Sequence, residues 1–195
     1  MLPLGTELPS FELPDVGGGC WSTSELDDRP LLVLFICAHC PYVKHVEPEI
    51  GRLQRDFGRP AADGAEPQLK ILAISSNSVQ THPADGPEGL RAQAEQHGWT
   101  FPYIHDADQE IARTFRAACT PDPYLFAPAS DGELRLVYRG QIDASRPGND
   151  LPLDGSDLRA ALTAIRTCQP IPTEQKPSIG CNIKWHPGSE PEWAC

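Results

Sequence analysis

Two cysteines separated by two residues, Cys37 and Cys40, stand where one predicted element ends and the next begins. Residues 31–36 form an unbroken apolar run of strand length, which is typical of a central strand buried on both faces. Beyond the pair, apolar residues recur at spacings of three and four, which predicts an amphipathic helix with one face on the core. The residues of this stripe are Val43, Val46, Ile50, Leu53 and Phe57. The pattern places Cys37 at the N-terminus of a helix.

A cysteine at a helix N-terminus is expected to react as a thiolate. Unpaired backbone N–H groups and the helix macrodipole supply positive charge there, which lowers the pKa of a thiol. The Cys37 thiolate can then attack a disulfide, and Cys40, one helical turn on and less exposed, can resolve the mixed disulfide. His39 lies between the two cysteines, where its protonated form can lower the pKa of Cys37 further, although a solvated loop histidine is the alternative interpretation. The predicted chemistry is thiol–disulfide exchange without a cofactor.

Metal binding is the alternative from a different functional class. A structural zinc site usually takes a second pair of ligands, and the other cysteines of this chain stand alone, so we predict no metal. A non-catalytic module that binds copper or zinc, or senses thiols, is the hypothesis to test against exchange. Its soft ligands would come from Cys37, Cys40, His39, His45 and Cys119.

Composition and charge restrict the partners and the compartment. The chain has 195 residues, of which 39% are hydrophobic and 22% charged, as in an ordinary globular domain. The net charge of −11 disfavours nucleic acid and anionic membranes as partners. Residues 1–11 have neither the basic nor the apolar region of a signal peptide, and the odd count of seven cysteines disfavours a secreted disulfide scaffold. We therefore predict a cytoplasmic protein.

The order of predicted elements indicates an α/β fold. An N-terminal hairpin precedes a strand, a helix and a second strand, and this order implies a right-handed crossover and a parallel pair. A helical insertion follows, then an antiparallel strand pair turning at Asp131 and Gly132, then a helix capped by Ser156.

We predict one domain over residues 1–167 with a central mixed β-sheet flanked by helices. Residues 168–195 form an irregular Pro-rich tail whose apolar residues should pack on the domain. Predicted strands cover residues 11–13, 20–22, 31–36, 69–74, 103–104, 124–126 and 134–138, and predicted helices include residues 87–97 and a short one around 111–115.

Four stretches resemble one known group of proteins: FICAHCPYVKH at 35–45, ISSN at 74–77, ACTPD at 118–122 and PSIGCNIKW at 177–185. Together they resemble the peroxiredoxin-like redoxin group of the thioredoxin superfamily, which includes alkyl-hydroperoxide-reductase/thiol-specific-antioxidant proteins. The similarity spans almost the whole chain, and it implies a thioredoxin-like fold. It also implies a cis Thr120–Pro121 bond that faces the cysteine pair, with the backbone of Thr120 binding an incoming peptide. Thr120 and Pro121 are thus the substrate-binding residues that the resemblance predicts.

The peroxidatic motif of that group, P-x-x-x-(T/S)-x-x-C, is incomplete in this chain. Counting back from Cys37, Pro30 fits, but Leu34 stands at the hydroxyl position. Counting back from Cys40, Val33 and Cys37 occupy the two positions and neither fits. Leucine cannot donate a hydrogen bond to a peroxide oxygen, whereas disulfide exchange needs no such donor. We therefore predict a thiol–disulfide oxidoreductase, with a thiol peroxidase of antioxidant type as the alternative.

Two further cysteines are candidate redox thiols. Cys119 precedes the Thr-Pro pair, and Cys181 lies in a tail motif that could fold back toward the active site, although both can also be structural. Cys20, Cys168 and Cys195 are interpreted as plain thiols, and Lys44 and His45 as residues of a solvated helix face. The expected partners are a disulfide-containing protein or small thiol substrate and a thiol system that donates electrons.

Overall fold

A five-stranded mixed sheet forms the centre of the computed structural model, which describes residues 2–60, 64 and 66–194. In chain order the strands are β1 (Glu12–Pro14), β2 (Cys20–Ser22), β3 (Leu31–Phe35), β4 (Lys70–Ser75), β5 (Tyr103–His105), β6 (Cys119–Thr120), β7 (Asp122–Pro128), β8 (Leu134–Tyr138) and β9 (Cys181–Asn182). The α-helices are α1 (Pro41–Phe57), α2 (Pro87–His97), α3 (Glu110–Phe115) and α4 (Ser156–Arg166). Short 3₁₀ helices cover Thr23–Glu25, Pro83–Asp85 and Glu192–Ala194.

The central sheet has the order β5-β4-β3-β7-β8. Strand β3 is parallel to β4 and antiparallel to β7, and all five of its residues are buried, as its apolar run predicts. Strand β5 extends the parallel side, and β8 forms the antiparallel hairpin with β7. This arrangement confirms the predicted thioredoxin-like α/β class with a mixed central sheet.

The two faces of the sheet bury two apolar clusters. Alternate residues of β3 such as Leu32 and Leu34 pack with α1 and α4, and Cys37 and Cys40 belong to this cluster. On the other face, Phe35 packs with α3 and with two buried residues of the C-terminal tail, Ile183 and Trp185. The thiol pair therefore lies on the α1 side of the sheet.

The chain before β3 covers the edges of the sheet. Strands β1 and β2 form the predicted antiparallel hairpin, and the backbone N–H of Val16 donates to Tyr103 O of β5 at 2.9 Å. Farther upstream, the N–H groups of Gly5 and Leu8 donate to carbonyls of β8, each at 2.8 Å. The extension thus protects both edge strands from pairing with other chains.

Helix starts differ in detail from the predictions. Helix α1 begins at Pro41 and not at Cys37, since proline suits the first turn of a helix. Gly155, in the left-handed region at φ 65°, occupies the cap position of α4 that the sequence assigns to Ser156. Asp154 Oδ1 accepts the N–H of Ser156 at 2.9 Å, so the neighbouring aspartate supplies the capping oxygen. The loop predicted over residues 60–67 lies partly outside the described residues.

The tail crosses the open end of the sheet and forms a short strand of its own. Strand β9 pairs antiparallel with β6, immediately before Pro121. The aromatic rings of Trp185 and Trp193 pack edge to face, with centroids 5.8 Å apart. Among the described residues, no helix combines the length and apolar character needed to cross a bilayer.

Candidate active site

The thiol pair lies in the turn that joins β3 to α1. Cys40 occupies the N-cap position of α1, and Cys37 stands three residues earlier. The sequence predicts that Cys40 is the less exposed of the two, yet both residues have an exposed fraction of 0%. The tail contributes to this burial, since its Cys181 packs against the apolar cluster that contains both cysteines.

Thr120 contacts both sulfurs from the opposite side. Its Oγ1 lies 3.5 Å from Cys37 Sγ, and its backbone oxygen lies 3.3 Å from Cys40 Sγ. The Thr120–Pro121 peptide bond is cis. The two residues to which the resemblance assigns substrate binding therefore face the cysteine pair.

Asp85 organises the turn around Cys37 and is a residue that the sequence reasoning missed. Its carboxylate is completely buried, and Oδ1 accepts the backbone N–H groups of Ala38 and His39 at 2.9 and 3.0 Å. Oδ2 accepts the amide of Asn77 at 2.8 Å and also contacts His39 Nδ1. His39 Nδ1 in turn lies 3.7 Å from Cys37 Sγ. Long loops often carry function, and the sequence predicts one over residues 77–86, but nothing local in the sequence pairs Asp85 with Cys37.

Each of the two thiols shifts the pKa of the other. This interaction raises the pKa of Cys37 and lowers that of Cys40 to about 4. Burial and the negative charge of Asp85 raise the pKa of Cys37 further, whereas Thr120, Cys181 and the N–H of Val43 favour the Cys40 thiolate. Cys40 occupies the N-cap of α1, so the helix N-terminus acts on Cys40 more directly than on Cys37.

The structure brings Cys181, and not Cys119, against the pair. Thr120 is directly opposite Cys181 in the β6/β9 ladder, so their side chains share a face, and Cys181 lowers the pKa of Cys40. Cys119 points to the other face, where its sulfur lies 4.0 Å from Pro121 O and burial raises the pKa of its thiol. Alternation along a strand explains the difference, because neighbouring residues cannot both face the site.

The other titratable candidates lie around this centre. His45 contacts Ser145 Oγ at 2.8 Å, away from the thiols, and Lys44 is exposed. The imidazole of His82 stacks on His39 with centroids 4.5 Å apart, and burial lowers the pKa of His82. Cys20 and Cys168 are exposed free thiols, and Cys195 lies outside the described residues.

A buried network of polar side chains around Gln93 supports the backbone of the turn at Cys37. The side-chain amide of Gln93 donates to Cys37 O at 3.2 Å and to Glu47 Oε1 at 2.7 Å. The hydroxyl of Tyr103 donates to Gln93 Oε1 at 3.0 Å, which fixes the orientation of the amide. These contacts restrain the backbone at Cys37 without touching its sulfur.

Three groups at the site have the chemistry of metal ligands. Cys37, His39 and Asp85 place one ligand atom each within 4.8 Å of one another. Both oxygens of Asp85 already accept hydrogen bonds from the turn and from Asn77, so a metal would have to replace bonds that hold Ala38 and His39 in position. The arrangement fits the anchoring of a redox turn better than a metal site.

The comparisons with known proteins agree with this geometry. The AhpC/TSA family model matches residues 4–137, a stretch that includes both active-site cysteines and Pro121. A crystal structure of an uncharacterized conserved protein from Geobacillus kaustophilus is 43% identical, with a TM-score of 0.86 over 97% of this chain and 95% of that one.

More distant relatives extend the comparison. A Mycobacterium tuberculosis protein whose name describes a candidate peroxiredoxin is 25% identical over 69% of this chain and 75% of its own length. A secreted disulfide oxidoreductase of the same organism shares the fold at 14% identity, with a TM-score of 0.55 over 79% of this chain and 95% of that one.

Proposed function

This chain belongs to the AhpC/TSA family and has the thioredoxin-like fold, and from that premise we propose that it is a thiol–disulfide oxidoreductase whose redox couple is Cys37 and Cys40. One observation carries the proposal: the sulfurs of Cys37 and Cys40 lie 3.5 and 3.3 Å from oxygen atoms of Thr120, whose peptide bond to Pro121 is cis. A dithiol held in this way loses two electrons and closes to a disulfide without a large change in position.

The reaction proceeds in two exchange steps. In the first step the proton of Cys37 passes to Cys40, which leaves the Cys37 thiolate as the nucleophile. Cys37 attacks one sulfur of the substrate disulfide, forms a mixed disulfide and releases the other half as a thiolate, which takes the proton from Cys40 and so restores the Cys40 thiolate. The Cys40 thiolate then attacks Cys37, releases the second half of the substrate and completes the Cys37–Cys40 disulfide. A thiol system that donates electrons returns the pair to the dithiol.

His39 and Thr120 assist this sequence. His39 Nδ1 contacts the Asp85 carboxylate and lies 3.7 Å from Cys37 Sγ, so the imidazole ring connects the carboxylate to the sulfur. The hydroxyl of Thr120 donates to the thiolate and lowers the pKa of both thiols. Because both sulfurs are buried, neighbouring groups must move aside when a substrate approaches Cys37. We propose that the substrates are disulfide-containing proteins or small disulfides of the cytoplasm.

The experiment is reduction of insulin and of oxidised glutathione with dithiothreitol as the electron donor. We expect turnover by the wild-type protein, loss of turnover in Cys37→Ser, and a trapped mixed disulfide on Cys37 in Cys40→Ser. Cys20→Ser, which changes an exposed cysteine outside the site, is the matched control and should keep full activity. Turnover that survives in the double variant Cys37→Ser/Cys40→Ser would contradict the proposal.

A thiol peroxidase is the second candidate because one observation favours it. Leu34, at the hydroxyl position of the peroxidatic motif, is buried in the core, yet Thr120 places a hydroxyl 3.5 Å from Cys37 Sγ from another element. The candidate peroxiredoxin among the relatives points to the same chemistry. Consumption of hydrogen peroxide and trapping of a sulfenic acid on Cys37 in Cys40→Ser would support this function. Absence of both leaves disulfide exchange as the activity.

A further inference from the structure

The C-terminal tail brings a third thiol to the redox pair. Strand β9 pairs antiparallel with β6, with Cys181 directly opposite Thr120. Residues opposite each other in such a ladder have their side chains on the same face, and Thr120 is the residue that contacts both active-site sulfurs. Cys181 also packs against the buried cluster that contains Cys37 and Cys40, and it lowers the pKa of Cys40. Cys181 therefore adjoins the sulfur of the pair that lies on the tail side.

Several bonds hold the tail in this register. On its C-terminal side, the N–H of Ile183 donates to Ala118 O at 3.0 Å, and the N–H of Lys184 donates to Asn77 Oδ1 at 2.8 Å. Trp185 is buried, and the guanidinium of Arg113 lies 5.0 Å from the centre of its ring. These contacts of residues 183–185 hold the preceding Cys181 in its position near Cys40.

Gly180 allows the close approach of the tail to β6. A Cβ atom at this position would lie 2.1 Å from Thr120 O and 2.6 Å from Thr120 C, both of which are backbone atoms. Real side chains do not tolerate such distances, so any residue but glycine would push the tail away from β6. Gly180 lets the tail approach β6 closely, and the hydrogen bonds of Ile183 and Lys184 keep it there. Both features place Cys181 near Cys40.

We propose that Cys181 is a third redox thiol, which exchanges with the Cys37–Cys40 disulfide by attack on the Cys40 sulfur. This inference rests on the proposed function, because that function supplies the Cys37–Cys40 disulfide. The Cys181 thiolate forms a bond to Cys40, the Cys37–Cys40 bond breaks, and its electron pair leaves on Cys37, which takes up the proton that Cys181 lost. The oxidation state of the protein does not change, so the step needs no further oxidant. Its product is a disulfide that ties the tail to α1, with Cys37 free to react again.

The electrostatics of the site favour this step only after oxidation. In the reduced protein, burial and the Cys40 thiolate raise the pKa of Cys181 to about 11, so the tail thiol is protonated. When Cys40 is part of a disulfide, it carries no negative charge and no longer raises the pKa of Cys181. The positive charge of Lys184 still lowers that pKa, so the pKa of Cys181 falls. The third thiol is therefore activated by the oxidation of the pair.

Disulfide mapping by mass spectrometry tests the proposal on the full-length chain. The sequence places Cys37 and Cys40 in the tryptic peptide 1–44 and Cys181 in the peptide 167–184, because trypsin does not cleave at Arg29 or Lys176 before proline. In a Cys20→Ser/Cys168→Ser background, a cross-link between these two peptides can only join Cys181 to Cys37 or Cys40. The protein is oxidised with oxidised glutathione, digested under acid-quenched, non-reducing conditions, and mapped.

We expect the cross-linked peptides in this background, their persistence when Cys37→Ser is added, and at least a roughly tenfold loss when Cys40→Ser is added instead. A Cys37–Cys40 disulfide within peptide 1–44 but no cross-link to 167–184 overturns the inference and leaves the proposed function intact. If neither disulfide forms, the proposed function fails and the inference with it. If Cys37→Ser does not fold, as checked by circular dichroism, the parent background and its Cys40→Ser derivative decide the matter.

Discussion

The reactivity of the two central cysteines depends on neighbours that act on each sulfur differently. Asp85 faces Cys37 and disfavours its thiolate, whereas Cys181 and the N–H of Val43 stabilise the thiolate of Cys40. Thr120 is the one residue of this set that lowers the pKa of both thiols. In the proposed mechanism, a proton passes from Cys37 to Cys40 before Cys37 attacks, so the hydroxyl of Thr120 can assist whichever sulfur carries the negative charge.

Replacement of Thr120 by valine tests this role at the level of one hydroxyl. Valine keeps the shape of threonine and the backbone oxygen near Cys40 but cannot donate to either sulfur. We expect the first pKa of the thiol pair to rise by about 1 unit, since a hydrogen bond to a charged group contributes about 1.5 kcal/mol. The pH dependence of thiolate absorbance and of alkylation by iodoacetamide measures the shift.

Thr163→Val is the matched control for this change, since its hydroxyl donates to Arg159 O on the exposed side of α4. This control should leave the titration of the pair unchanged. An equal titration of Thr120→Val and wild type would show that the hydroxyl does not stabilise the thiolate.

At the level of elements, the two-residue strand β6 determines what the site can do. Its Thr120 faces the thiols, its Cys119 faces away, and its free edge is occupied by β9 of the same chain. In the thioredoxin-like resemblance this edge is the one that binds an incoming peptide. The tail therefore pairs, in the resting protein, with the strand edge to which the resemblance assigns peptide binding.

The sequence predicted the elements whose signals are local. Helix α2 has the predicted bounds because Pro87 starts it and Gly98, at φ 62°, ends it, and β8 follows the turn at Asp131 and Gly132 as expected. The pairing of β9 with β6 joins residues about sixty positions apart through two-residue strands, which leave no periodic pattern. For the same reason, the choice between Cys119 and Cys181 as the third thiol, and the role of Asp85, could only be read from the structure.

Gly180→Ala tests whether the tail strand holds Cys181 in place. The added methyl group would collide with Thr120 O, so we expect β9 to separate from β6 and the Cys181 thiol to become accessible. If the substitution lowers the free energy of local opening of the tail by about 1.4 kcal/mol, the rate of Cys181 alkylation in the native protein should rise roughly tenfold. Mass spectrometry of peptide 167–184 measures that rate.

Gly51→Ala is the matched control for the tail variant, because a Cβ there meets only the end of the flexible Arg55 side chain at 3.7 Å and the indole nitrogen of Trp99 at 3.9 Å. It should leave the alkylation of Cys181 at the wild-type rate. If Cys181 is alkylated at the wild-type rate in Gly180→Ala as well, the close approach of the tail does not protect Cys181.

On the scale of the whole molecule, stability should depend on a carboxyl group buried next to the active-site loop. Asp122 follows Pro121, and burial raises its pKa from 3.8 to about 7. The hydroxyl of Tyr124 donates to its Oδ2 at 2.9 Å. The folded protein therefore keeps a proton on Asp122 at pH values at which the unfolded chain has lost it. This contribution to stability is complete below about pH 3.8 and is lost as the pH rises through about 7.

Asp122→Asn removes this pH dependence, because asparagine is neutral at every pH and still accepts the Tyr124 hydrogen bond. From pH 4.5 to pH 8, we expect the free energy of unfolding of the wild type to fall relative to the variant by about 2 to 4 kcal/mol, as a rise of about three pKa units implies. Urea unfolding of both proteins at each pH measures the difference between their free energies of unfolding. The other carboxylates titrate in both proteins, so their contributions cancel in this difference. Asp131→Asn is the control, because the hydrogen bond from Arg135 lowers the pKa of this exposed group below 3.8 and Asp131 is therefore ionised in both the folded and the unfolded chain throughout this range. Its difference from the wild type should stay constant from pH 4.5 to pH 8. Parallel stability curves for the wild type and Asp122→Asn would show that Asp122 is charged in the folded protein and that the adjoining loop tolerates a buried carboxylate.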